Sequence, residues 1–281
     1  MLFGPKNAFI DAHVHLWTDD FSKYPLAKGF KPSDLAVRRF VAKDILAQAQ
    51  QNEVERVVLV QMSYYGFDNK LMLDSMAEYP GRFRGIAVID AEQTDVASVM
   101  SRLAQTGVRG FRIVAIDAAS RPLESPGLQR MFAAGARSNL AMCLLTSPDM
   151  LAGIDRLCTK FPDTPVVIDH MGRVGMTGTI QPKDIDALCR LARHRKTMVK
   201  VSAFYALGRK RPPHDELLPL IHRLYSVFGP SRLMWASDSP FQLAAETYRD
   251  SISVVRDRLP FLSNADKDQM LRRTAESLFF Q

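Results

Sequence analysis

The chain has 281 residues, 47% of them hydrophobic, and a formal net charge of +7. That much apolar side chain supports a large buried core and excludes an intrinsically disordered protein. No run of about 18 apolar residues occurs, which excludes an ordinary transmembrane helix.

The N-terminal MLFGPKNAF lacks a basic segment followed by an apolar stretch, so no secretory leader is expected. From there, short apolar β-branched runs alternate with helical periodicity. Strands are expected at Phe9–His15, Val54–Gln61, Phe83–Asp90, Val108–Val114, Ala141–Thr146, Pro165–Met171, Met198–Ala203 and Leu233–Asp238. Helical patterns fall between them, as at Asp95–Thr106, Leu128–Ser138, Ser147–Phe161, Pro182–His194 and Asp215–Phe228. Two further helices, Ala244–Arg258 and Asn264–Phe279, follow the last strand. Strands that alternate with helices pair in parallel. Eight such units in a chain of this length predict an α/β fold, a single (β/α)8 TIM barrel with an extra C-terminal helix, one domain over residues 1–281. Val57-Val58-Leu59-Val60 and Val166-Val167-Ile168 are continuous apolar runs, as in strands covered on both faces. An open doubly wound sheet is disfavoured, because no glycine-rich phosphate turn follows the first strand. The stretch from Trp17 to Ala42 carries Pro25, Gly29 and Pro32 and reads as a loop crossing the barrel mouth.

In such a barrel, chemistry gathers at the C-terminal ends of the strands. The first strand carries Asp11, His13 and His15, and residues two apart share a face, so these three side chains are expected side by side. Two convergent imidazoles can ligate a metal or polarise a carbonyl. Gln61, Ser63 and Tyr65 follow the second strand, and Arg112 lies on the fourth. His170 and Arg173 end the sixth, Tyr205 follows the seventh, and Asp238 ends the eighth. Each residue alone has a structural explanation. His170 could be a satisfied barrel-top histidine, Asp238 a helix cap, and Arg112 a loop ion pair. The set of them at successive strand ends points to an active site.

The constellation resembles the amidohydrolase superfamily, whose first strand carries His-x-His and whose eighth ends in an essential aspartate. Within it, the chain is similar to the 2-pyrone-4,6-dicarboxylate lactonase branch. The stretches that carry the likeness are IDAHVHLW, VVLVQMSYYGFDN, GRFRGIAVID, GVRGFRI, VIDHMGR, KVSAFYAL and LMWASDSP, which run from the first strand to the last. The resemblance implies lactone hydrolysis without a required metal. It implies that Asp238 activates water and that His13, His15 and His170 polarise the lactone carbonyl. It places Arg112 and Ser63 on substrate carboxylates; by their position at the strand ends, Gln61, Tyr65, Arg173 and Tyr205 are further substrate-binding candidates. There are departures. The stretch Ile113-Val114-Ala115-Ile116-Asp117-Ala118 lacks the family's second arginine. Phe30 stands where a tyrosine is expected, Tyr205 where an arginine is, and Ser-Pro-Phe follows Asp238 in place of Trp-Pro-His.

Should a divalent metal such as zinc be needed, His13, His15, His170 and Asp238 are the four available ligands. Against a metal, the fifth strand has no histidine, and the fourth offers no lysine or glutamate for a binuclear bridge. The alternatives to a lactonase are a metal-dependent hydrolase or decarboxylase of a small aromatic or enoic acid, and a non-catalytic ligand-binding barrel. The basic clusters Arg193-His194-Arg195-Lys196 and Arg209-Lys210-Arg211 read as a solvated face, with steering of anionic substrates as the alternative. They lack interleaved aromatics, so no nucleic-acid partner is expected, nor a membrane partner. The expected partner is a small anionic lactone, and a homodimer is left open. Cys143, Cys158 and Cys189 are unpatterned, as for reduced thiols in a cytoplasmic protein.

Overall fold

The computed structural model describes residues 8–116 and 123–281. Residues 1–7, read above for a leader, and Asp117–Ala118 lie outside it. Eight strands form one parallel sheet in sequence order: β1 Phe9–Val14, β2 Val54–Val60, β3 Phe83–Ala87, β4 Val108–Ala115, β5 Ala141–Thr146, β6 Val166–Ile168, β7 Thr197–Val201 and β8 Leu233–Trp235. The sheet closes between its two ends. Val14 bridges Ser239 in parallel, Asp238 N donates to His13 O at 3.0 Å, and His15 N donates to Ser239 O at 2.8 Å. This is the expected (β/α)8 barrel.

The helices α1 Ala42–Gln51, α2 Lys70–Glu78, α3 Val96–Gln105, α4 Pro126–Ser138, α5 Leu151–Lys160, α6 Pro182–Arg190, α7 Leu218–Phe228 and α8 Tyr248–Asp257 follow the strands in turn. Strand residues alternate between two apolar layers. Val57, Phe111, Leu144, Ile168 and Trp235 pack outward under the helices, while Val58, Cys143, Val167 and Met234 fill the barrel. That double burial explains the continuous apolar runs. After α8 the chain continues through α9 Asn264–Asp268, a π turn at Gln269–Arg273, and α10 Thr274–Phe279. Ala275, Leu278 and Phe279 pack against Ile10, Val58 and Ile86, so this last segment plugs the barrel's interior layer.

Strands β3, β6 and β8 end earlier than expected, β3 at Ala87. β6 stops at Ile168 because His170, Met171 and Gly172 adopt left-handed backbone angles. β8 stops at Trp235, and Asp238 has φ 63°. Left-handed angles cannot continue a strand, and they are costly for residues other than glycine. They turn the chain at the strand ends, where the site lies. The Trp17–Ala42 loop is pinned by an antiparallel bridge between Trp17 and Phe40. Trp17 packs against Tyr64 and Phe241, and the loop's side chains do not line the central cavity described below. It packs on the turn after β2, where Ala27 N donates to Tyr64 O at 2.8 Å. Among the described residues no helix is long and apolar enough to cross a membrane.

Candidate active site

The first strand is not a regular strand. Asp11 lies opposite Val57 and Val14 opposite Leu59, so three steps on β1 face two on β2. The extra residue is a β-bulge, which breaks the alternation of side chains and re-aims them. Ile10 and Ala12 belong to the interior layer and Val14 to the outer one. The bulge lets His13 join His15 inside the barrel, with their Nε2 atoms 3.1 Å apart. Asp11 does not share that face, contrary to the expectation from regular alternation. Its carboxylate accepts from Ser237 N at 2.9 Å, His13 N at 3.1 Å and the Tyr248 hydroxyl at 2.8 Å. Asp11 therefore clasps β1 to β8 and α8. Its complete burial pushes its pKa up to about 6, against these hydrogen bonds.

The histidines have distinct wiring. His15 Nδ1 lies 2.8 Å from Val60 O. A carbonyl oxygen only accepts, so Nδ1 carries the hydrogen, and Nε2 of the neutral ring is an acceptor. In that tautomer Nε2 faces His13 and Arg112 as an acceptor. His170 Nδ1 lies 2.9 Å from Ser202 Oγ, and its Nε2 is 3.8 Å from Asp238 Oδ2. His13 Nδ1 lies 3.1 Å from Lys200 Nζ and 3.5 Å from Asp169 Oδ1. Burial lowers the pKa of both His13 and His170. The Lys200 charge lowers that of His13 further, and Asp238 partly opposes the shift at His170. Both rings are neutral at pH 7.

Asp238 is 4% exposed and sits against all three rings. Its Oδ1 is 3.4 Å from His15 Nε2 and 3.6 Å from His13 Nε2. Its Oδ2 accepts from the Tyr205 hydroxyl at 2.7 Å. Burial acts to raise the carboxyl pKa, but the neighbouring His170, His15 and His13 outweigh it and hold Asp238 well below the usual carboxylate range. Tyr205 is shifted the other way, by burial and then by the Asp238 charge, so it stays a phenol and donates. The Asp238 Oδ1 has no hydrogen-bond partner among the described residues.

Arg112 reaches the same centre. Its Nη1 lies 3.0 Å from His13 Nε2 and 3.3 Å from His15 Nε2. Above these groups is a cavity of about 460 Å³, lined by His15, His170, Asp238, Arg112 and Tyr205 at its reactive end, with Gln61 and Ser63 beside them and Arg173. Gln61 also donates through Nε2 to Asp68 O at 2.6 Å. Tyr65 is placed elsewhere. It is buried, its hydroxyl accepts from Thr18 N at 3.0 Å, and it does not line the cavity. The basic clusters are partly spent on ion pairs: Arg193 and His194 hold Asp155, and Arg209 holds Glu216.

Sequence reasoning gave no role to Lys200 and Asp169. Both side chains are fully buried, and Nζ lies 3.0 Å from Asp169 Oδ1 directly beneath His13. The available signal was a lysine inside the apolar run Val199-Lys200-Val201, since a buried lysine needs a partner.

A cation fits this donor set. His13, His15 and Asp238 offer ligand atoms within 4.8 Å of one another, and Asp238 Oδ1 is buried and unpaired among the described residues. Two imidazoles and a carboxylate suit zinc. His170, expected as a fourth ligand, is outside that group. Arg112 Nη1 contacts the same two nitrogens that a metal would use, and a guanidinium repels a divalent ion, so the two compete for one place.

Comparison with known proteins gives a consistent picture. The amidohydrolase family model matches residues 10–281. The chain is 27% identical over 239 residues to 4-sulfomuconolactone hydrolase of Rhizobium radiobacter, covering 84% of this chain and 76% of the relative. It is 26% identical over 246 residues to 2-pyrone-4,6-dicarboxylate hydrolase of Comamonas testosteroni, covering 82% and 76%. Among solved structures, an amidohydrolase from Burkholderia multivorans with bound zinc superposes with a TM-score of 0.83 at 20% identity, covering 97% of this chain and 99% of that one. At that identity the likeness speaks for the fold.

Proposed function

The chain belongs to the amidohydrolase family, and from that premise we propose that it is a hydrolase that opens a small activated lactone with water and needs no metal to do so. The observation that carries this reading is Asp238 Oδ1, buried and unpaired among the described residues at the floor of the cavity. The two curated relatives are named as hydrolases of a muconolactone and of a pyrone, which supports the reaction class.

An activated lactone, such as a pyrone or an enol lactone, has a good leaving group. The protein must supply a base for water and donors for the oxyanion. Asp238 Oδ1 takes a proton from water as the oxygen attacks the carbonyl carbon. Tyr205 holds Oδ2 and so fixes which oxygen is free. The oxyanion receives His170 Nε2–H, the tautomer formed when Nδ1 accepts from Ser202, and the positive charge of Arg112. His13 and His15 serve by aiming that guanidinium. This moves Arg112 from a carboxylate grip to the reacting oxygen and leaves Arg173 for a substrate carboxylate. Collapse breaks the ring C–O bond. The proton on Asp238 passes to the leaving oxygen, and the product is a hydroxy acid or its keto form.

A second reading is favoured by the His13, His15 and Asp238 triad. In it these three residues would hold a divalent metal, which would supply Lewis-acid activation of water, and the reaction would be hydrolysis or decarboxylation of a small aromatic or enoic acid. One experiment separates the two readings. Purified protein is assayed against activated lactones bearing zero, one or two carboxylates, before and after chelation, with bound metal measured in parallel. Lactone turnover that survives chelation is expected. Activity that follows metal occupancy, or absence of turnover on every lactone, overturns the proposal.

A further inference from the structure

The cavity is two-sided. Its floor is the polar group described above. Its far side comes from the ends of β4 and β5 and the loop after β6, and among the described residues it is apolar except for Arg173, whose guanidinium contacts Met176 Sδ. Arg112 and Val114 are two apart on β4 and share a face, and Ile116, just past the end of the strand, lines the cavity with them. Val114 pairs with Leu145 of β5, and Leu145 also lines the cavity. Met176 closes this side from the loop after β6. Val114 and Met176 are 36% and 43% exposed, large apolar side chains left open to water at the mouth of a concave site. Apolar surface held open in a pocket marks the part of a ligand that will cover it. The volume fits this. About 460 Å³ lies in the range of roughly 300–1,000 Å³ that takes drug-sized ligands, more than one six-membered ring fills.

We propose that the substrate is a lactone whose ring carries an apolar alkyl or aryl arm, seated on Val114, Ile116, Leu145 and Met176, with at most one anionic group. The proposal deepens the lactone-opening reading and rests on it for the identity of the ring. A carboxylate placed over Val114, Ile116 and Leu145 would lose its water against apolar side chains, which disfavours it, whereas Arg173 beside Met176 offers an anion its partner. An alkyl arm gains affinity there by leaving water. Among the described residues the cations lining the cavity are Arg112 and Arg173. Arg112 is engaged with His13 and His15, so Arg173 is left for one anionic group.

The test uses hydrolysis-inert rings, so that it does not depend on catalysis. δ-Lactams bearing methyl, butyl, hexyl or carboxymethyl at one ring carbon are titrated calorimetrically into the full chain and into Val114→Arg and Ile116→Arg. Affinity for the wild type should rise about fourfold per added methylene until the shelf is covered, the value for a fully buried CH₂. The carboxymethyl ring, which offers Arg173 an anion but leaves the apolar shelf uncovered, should bind more weakly than butyl, and each arginine variant should reverse that order. Tighter binding of the carboxymethyl ring by the wild type, no dependence on chain length, or no binding by the whole series would each overturn the proposal. Turnover of the matching lactones is measured separately. Chain-dependent lactam binding without any lactone turnover would keep the apolar shelf and discard the lactonase reading.

Discussion

Tyr205 donates its hydroxyl to Asp238 Oδ2 at 2.7 Å and so decides which oxygen of the carboxylate faces His13 and His15. The other oxygen, Oδ1, is left without a hydrogen-bond partner among the described residues. Tyr205→Phe removes this restraint and keeps the ring. A hydrogen bond to a charged group is worth ~1.5–3 kcal/mol. Steady-state kinetics should therefore show kcat reduced by about 10- to 100-fold with KM little changed. An unchanged kcat would show that Asp238 needs no such support.

Asp238→Asn should abolish most turnover while thermal unfolding stays close to wild type. Loss of a general base costs ~10²–10⁴-fold. The pH profile adds a second check. Asp238 is held below the usual carboxylate range, and His13 and His170 are held neutral below the usual imidazole value. On lowering the pH, kcat/KM should stay level through the ordinary histidine range, and a fall centred near pH 6.5 would contradict this charge state.

Arg112 and a divalent ion compete for His13 and His15. Wild-type protein should retain kcat after exhaustive chelation. Arg112→Met should lose activity and should also bind zinc more tightly than wild type, because the repelling charge is gone and the donors remain. Elemental analysis and zinc titration of both proteins provide the check. Wild-type protein that carries stoichiometric zinc would refute the competition.

Asp11 is a structural clasp, and its removal should be felt in stability. Asp11→Ala orphans buried donors on Ser237 and His13 and should cost about 2–4 kcal/mol by urea unfolding, at ~1–3 kcal/mol per unsatisfied group. Asp11→Asn keeps an acceptor and should cost less. The pH dependence has a definite sign. The folded state binds the Asp11 proton more tightly than the unfolded state, with a pKa raised from 3.8 to about 6. Its contribution is fully present below the unfolded value and is lost as the pH rises through the folded one, up to ~3 kcal/mol. Wild type should therefore lose stability relative to Asp11→Asn between about pH 4 and pH 6. Parallel curves would place the titration elsewhere.

The fold was legible because barrel strands buried on both faces write themselves as continuous apolar runs such as Val57–Val60, spaced by helical periodicity. The site was legible in part, since His15, His170, Arg112 and Asp238 do line one cavity and His13 lies buried against Arg112 behind it. Tyr65 was misplaced because an aromatic next to a motif can as well face the loop it anchors, and here it holds Thr18. Lys200 and Asp169 were passed over because their meaning lies in a pairing across two strands that are distant in sequence.

The sequence by itself determined the number of strands, the parallel barrel and the kinds of reactive group available, because these depend on composition and on periods of two and 3.6 residues. The tertiary structure alone decided the direction of each group. A bulge in β1 turned Asp11 out and His13 in, left-handed residues aimed His170 and Asp238 inward, and the Val60 carbonyl chose the tautomer of His15. Each of these rests on a register shift, a backbone angle or a contact between remote strands. Such features leave no periodic mark in a single chain, because they are set by what the neighbouring strands present once the barrel has closed.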